Sequence, residues 1–143
     1  MLGTHLGGNP LTSVGAQALA AALNDALPRA ASNRATRLEA LALEDCQVGA
    51  EGAKRLAEQL ATSALMALSL ARNGLVDDDA TQLLLALPKA LAFLDLSGNQ
   101  LSDLTASIAG EQLYKRPGLS ISLAANYLSP TIKMLLAEDP DAS

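Results

Sequence analysis

Half of the 143 residues are hydrophobic, yet only Phe93, Tyr114 and Tyr127 are aromatic, so the interior has to be built from leucine and alanine in thin, closely packed layers. The net charge of −5 argues against nonspecific nucleic-acid binding, which needs a basic surface. Cys46 is the single cysteine, which excludes an internal disulfide. No apolar run reaches the length of a membrane span, and the N-terminus lacks the basic start and apolar run of a secretion signal, so a cytoplasmic location is expected.

In chain order, residues 1–11 read as a strand and turn weakened by Gly3, Gly7 and Gly8, with Asn9-Pro10 at the turn. Val14, Ala18, Leu19 and Leu23 recur at helical spacing and predict a helix over 13–27, ended by Leu27-Pro28. A polar connector with Arg29, Arg34 and Arg37 follows. A strand is expected at 39–43 and a helix at 49–61, with Ala53, Leu56, Ala57 and Leu60 as its buried stripe. The next pair falls near 66–70 and 77–87, with Ala80, Leu83, Leu84 and Leu87 inward and Pro88 as the stop. Another follows near 92–96 and 102–114, with Ser102 as the helix cap and Ala106, Ala109 and Leu113 inward. The last strand is expected at 119–123 and the last helix from Pro130, a favoured first helical residue. Ile132, Leu135 and Leu136 are expected to cover the end of the stack, and Glu138 to Ser143 to form an acidic, solvated tail.

These elements repeat. Leu91-Ala92-Phe93-Leu94-Asp95-Leu96-Ser97-Gly98-Asn99-Gln100-Leu101 has the pattern L-x-x-L-x-L-x-x-N-x-L. The segment from Leu65 to Leu75 keeps the same frame with Asn73, and that from Leu38 to Val48 keeps it with Cys46. Ile121, Leu123, Asn126 and Leu128 fit downstream, although Gly118 replaces the first leucine; Leu6, Asn9 and Leu11 fit at the front. The positions Asn9, Cys46, Asn73, Asn99 and Asn126 are separated by 37, 27, 26 and 27 residues. Their side chains are expected to bond backbone groups of neighbouring turns and to form a ladder. Seven residues past the first four ladder places stand Ala16, Ala53, Ala80 and Ala106; fourteen past stand Leu23, Leu60, Leu87 and Leu113. A small residue near the strand and a leucine at the far gap, repeated in register, point to stacked units of one kind.

The pattern and its spacing resemble leucine-rich repeats. The full helix with its Ala-and-Leu stripe resembles the ribonuclease-inhibitor-like subfamily. The resemblance implies an α/β solenoid bent into a horseshoe arc, with a parallel β-sheet on the concave face and helices on the convex face. About five repeats would form one domain over 1–143, near 1–37, 38–64, 65–90, 91–117 and 118–143.

On such a sheet the residues between the leucines face the concave surface. Most are small: Ala40 and Ala42, Ala67, Ser69 and Ala71, Ser97 and Gly98, Ser120, Ser122, Ala124 and Ala125. Glu44, Asp45, Arg72, Phe93 and Asp95 are the candidate protein-binding residues, with Phe93 beside Arg72 as the anchor. The plainer reading of the same residues has Phe93 covering a neighbouring strand and Arg72 paired with Asp45 or Asp95. Asp77-Asp78-Asp79 at a helix start suits the positive end of the helix dipole better than a metal. His5 lacks a catalytic partner, and Cys46 is expected to be buried. There is no phosphate loop, no paired histidine ligands and no catalytic serine motif. The expectation is a non-catalytic protein–protein interaction module without cofactor or metal, its protein partner unnamed, with end-to-end self-association as a further possibility. The alternatives are a GTPase-activating protein using Arg72, a tropomodulin-like actin-binding protein, or a fragment of a larger repeat sensor; fold membership selects none of them.

Overall fold

The computed structural model describes residues 3–5, 7, 8, 15 and 39–138. Asn9, the helix expected over 13–27, the arginine connector, residues 139–143 and the side chains of His5, Leu135 and Leu136 lie outside the described part.

Five three-residue strands form one sheet in chain order: β1 (Gly3–His5), β2 (Ala40–Ala42), β3 (Ala67–Ser69), β4 (Phe93–Asp95) and β5 (Ser120–Ser122). Every pairing is parallel. Between successive strands from β2 onward lie α1 (Gly49–Leu60), α2 (Asp77–Leu84) and α3 (Asp103–Lys115), and α4 (Pro130–Glu138) follows β5. Parallel neighbours need a crossover, and each described crossover carries one helix on the same side of the sheet.

The register explains why the leucines had to sit where they do. Thr4, Leu41, Leu68, Leu94 and Ile121 occupy one row across the sheet. Strand side chains alternate between faces, so the described members of this row point together toward the helices. Leu41, Leu68, Leu94 and Ile121 are all buried, as are Leu43, Leu70, Leu96 and Leu123 two residues on. The helix stripes meet them. Ala53, Leu56 and Leu60 of α1, Ala80, Leu83 and Leu84 of α2 and Ala109 of α3 are buried in the same core, while Ala57, Ala106, Leu113 and Ile132 pack half-buried against it. Sheet strands stand about 4.8 Å apart, whereas packed helices need about 8–10 Å. The sheet face away from the helices is therefore the inner, concave side of the arc.

Three local departures have simple causes. The helix expected to reach residue 87 stops at Leu84. The Leu85 N–H still bonds the Thr81 carbonyl, but the Ala86 N–H tightens onto Leu83, and Pro88 disfavours helical backbone at Leu87. In the last repeat Gly118 is exposed and Leu119 is buried, so the neighbouring leucine supplies the apolar side chain that Gly118 lacks. On the third repeat Ser69 and Ala71, expected on the open surface, are both buried.

Candidate protein-binding face

The turn after each strand is built around the ladder residue. The Asn73 Oδ1 accepts the N–H groups of Cys46 at 3.0 Å and Val48 at 3.1 Å, and its Nδ2 donates to the carbonyls of Leu43 at 2.8 Å and Ala71 at 3.1 Å. One repeat on, Asn99 accepts from Asn73 and Leu75 and donates to Leu70, Leu96 and Ser97. Asn126 accepts from Leu101 and donates to Leu96, Leu123 and Ala124. Each amide thus reaches back to the preceding turn. Cys46 is buried in the same column, its Sγ donating to the Glu44 carbonyl at 3.4 Å.

Immediately before each ladder residue the backbone turns left-handed: Gly8, Asp45, Arg72, Gly98 and Ala125 have φ of 79°, 55°, 55°, 68° and 56°. Their N–H groups extend the interstrand bonding beyond the strands, Asp45 to Ala71, Arg72 to Ser97 and Gly98 to Ala124. Asp45 and Arg72 therefore stand on a rim past the strand ends rather than on the strand face itself. A Cβ at Gly98 would lie 2.7 Å from the Arg72 Cγ, so glycine meets both the backbone angle and the space the arginine stem occupies.

On the strand face the rows are Gly3, Ala40, Ala67, Phe93 and Ser120, then His5, Ala42, Ser69, Asp95 and Ser122. Phe93 stands 42 % exposed between the small residues Ala67 and Ser120. It does not disappear over a neighbouring strand. Met66, one residue before β3, is 38 % exposed. Asp95 is half-buried, and its Oδ1 accepts the Ser97 N–H at 2.9 Å. Glu44 is half-buried and Asp45 exposed. Among the described residues Arg72 forms no ion pair with Asp45 or Asp95; the ion pairs there join Arg55 to Glu51 and Glu58 on the exposed side of α1. The sheet brings Phe93 and Asp95 together, while Asp45 and Arg72 share the rim. The Ser69 hydroxyl is buried without a hydrogen-bond partner.

A second seam, absent from the sequence reading, runs through the helix starts. Asp77 Oδ1 accepts from the Ser102 N–H at 2.9 Å and from the Thr105 hydroxyl at 2.5 Å, while its Oδ2 accepts from the Ser102 hydroxyl at 2.6 Å. Asp103 repeats the contact on the Ser129 N–H at 2.8 Å. Burial alone would raise the Asp77 pKa; the bonds from Ser102 and Thr105 outweigh it and hold the carboxyl below its ordinary value. Asp79 caps its own helix by accepting the Val76 N–H. The acidic triplet is thus a joint and a cap, with Asp78 left exposed. The signal was present: Asp77 and Asp103 each stand four residues past a ladder asparagine. At the other helix ends Arg116 donates to the Pro88 and Leu87 carbonyls. It flanks a shallow cavity of about 430 Å³ shared with Lys89 and Leu119. Among the described residues no three His, Cys, Asp or Glu side chains cluster as a metal site. No described helix is long and apolar enough to cross a membrane.

No curated protein matches the chain in sequence. A family model described as Leucine Rich repeat matches residues 5–20 and 35–57, segments that contain the ladder places Asn9 and Cys46. Those matches lie in the first two repeats, and the asparagine column at Asn73, Asn99 and Asn126 carries the repeat onward: the chain has the fold of an α/β repeat solenoid and is similar in sequence to leucine-rich repeats.

Proposed function

We propose that the chain is a non-catalytic protein-binding module whose contact surface is the concave sheet face. One observation carries this reading. Phe93 holds a large apolar ring in the open between Ala67 and Ser120, and among the described side chains of the strand rows none is as large. Aromatic anchors at the centre of such faces dominate binding energy, and repeat arrays use this face for partners. A full helix in each described crossover and steps of 26 and 27 residues between the last four ladder places support assignment to the ribonuclease-inhibitor-like subfamily. The acidic balance favours a protein partner over nucleic acid, and the lone cysteine suits the cytoplasm.

The test is capture from cell extract with the parent chain and with Phe93→Ala and Arg72→Glu. The expected outcome is a specific partner lost or weakened at least about tenfold on Phe93→Ala, since truncating a central aromatic costs about 2 kcal/mol or more. Unchanged binding by both variants removes the face from consideration. Arg72, exposed on the rim and without a carboxylate partner among the described residues, favours one second reading, stimulation of GTP hydrolysis by a small GTPase. A hydrolysis assay in which Arg72→Ala matches the parent chain ends it.

A further inference from the structure

Resting on the sheet-face reading above, we infer that the floor beside Phe93 receives a basic amphipathic helix of a partner protein. The floor over β2 and β3 consists of Ala40, Ala42, Ala67 and Ser69, so among these strand residues nothing larger than serine rises from it, and half-buried Glu44 follows Ala42 beyond the strand end. Phe93 walls one side, and Met66 stands exposed at the strand entrance. From β2 to β4 is two interstrand steps, about 10 Å, the width of a helix with its side chains. Small residues on the floor let such a helix approach the backbone, and Phe93 offers its apolar stripe a surface.

The charges choose the sign of the partner. Glu39 precedes β2, Asp45 stands on the rim beyond it, and Asp95 lies two residues from Phe93 on the same strand face. Glu39 and Asp45 flank β2 at its two ends, less than about 20 Å apart because the chain turns at Asp45, a span that a helix of up to about 14 residues covers. Against these carboxylates the surface sets Arg72, whose stem is laid over Gly98. A trough with carboxylates at both ends and one beside its anchor attracts and orients a cationic segment. The buried Ser69 hydroxyl, without a hydrogen-bond partner, shares the row of Ala42 and Asp95. It is an unmet polar group within the floor.

The probe is a synthetic amphipathic peptide of about 14 residues built from lysine and leucine, compared with an analogue carrying glutamate at every lysine. Binding to the intact chain is followed by fluorescence anisotropy. The lysine peptide should bind and the glutamate peptide should not, with affinity falling as salt rises from about 50 to about 300 mM. The pair Asp45→Asn and Asp95→Asn removes charge but keeps the turn at Asp45 and the acceptor to Ser97. It should weaken the lysine peptide about threefold to tenfold. Phe93→Ala should weaken it further, and Tyr114→Ala, on the exposed side of α3, should leave it unchanged. Equal binding of both peptides, no binding of the lysine peptide, or no effect of the asparagine pair overturns the basic-helix proposal. If Phe93→Ala still abolishes capture of a cellular partner in that case, the sheet-face reading survives it. If Phe93→Ala alters neither measurement, both fall together.

Discussion

Asn99 serves two buried backbone N–H groups and three carbonyls across adjacent turns. Alanine there leaves them without partners in a site that excludes water, and each buried orphan costs about 1–3 kcal/mol. Asn99→Ala is expected to lose at least about 3 kcal/mol of unfolding free energy, measured by urea denaturation. The same logic with opposite sign applies to Ser69, whose buried hydroxyl has no partner. Ser69→Ala removes an unmet polar group and should raise stability by about 1 kcal/mol; a loss of that size would mean the hydroxyl is bonded after all. At this scale the ladder asparagines were legible because an amide at fixed spacing beside a turn has few other uses. The left-handed row was less so. Gly8 and Gly98 marked it, but Asp45, Arg72 and Ala125 occupy the same angle without glycine, and the alternation of a strand frame put Asp45 and Arg72 on the wrong part of the surface.

Strands and helices followed from the two periodicities, and their described positions fall within about three residues of expectation. What the pattern could not give was the connection between helix starts, because it depends on where a neighbouring repeat places its N–H groups. The Asp77 joint has a measurable signature in acid. Its folded pKa lies below the ordinary 3.8, so the native stack prefers the charged form. The stability this supplies is complete well above that value and is lost as pH falls through the folded pKa. Asp77→Asn should therefore flatten the decline of stability in that acidic window, while near neutral pH it should be the less stable chain. Parallel curves for the two proteins across the window would separate Asp77 from the acid sensitivity. α3 shows the limit of an apolar stripe: Ala106 and Leu113 were expected inward and are only half-buried, while Thr105 beside the Asp77 joint is fully buried.

Across the molecule no slice has a centre of its own. Leucines of one repeat cover those of the next, and the same repetition that builds the core sets Phe93 on the opposite side of the sheet. The strand frames put Phe93 on the face opposite the helices but left open whether it stands free or covers a neighbouring strand, and that Arg72 lies over Gly98 instead of pairing with an acid depends on a turn angle the frame does not carry. The two hydrogen-bonded seams run in opposite senses. Asparagines point backward, from Asn126 to Leu101 and from Asn99 to Asn73, whereas aspartates point forward, from Asp77 to Ser102 and from Asp103 to Ser129. Peeling away the rear bares amides that an asparagine had covered, and peeling away the front bares amides that an aspartate had covered. Under mechanical tension the two seams act as opposed ratchets, so the described array should yield to a pulling force in one rip instead of unravelling slice by slice from either side.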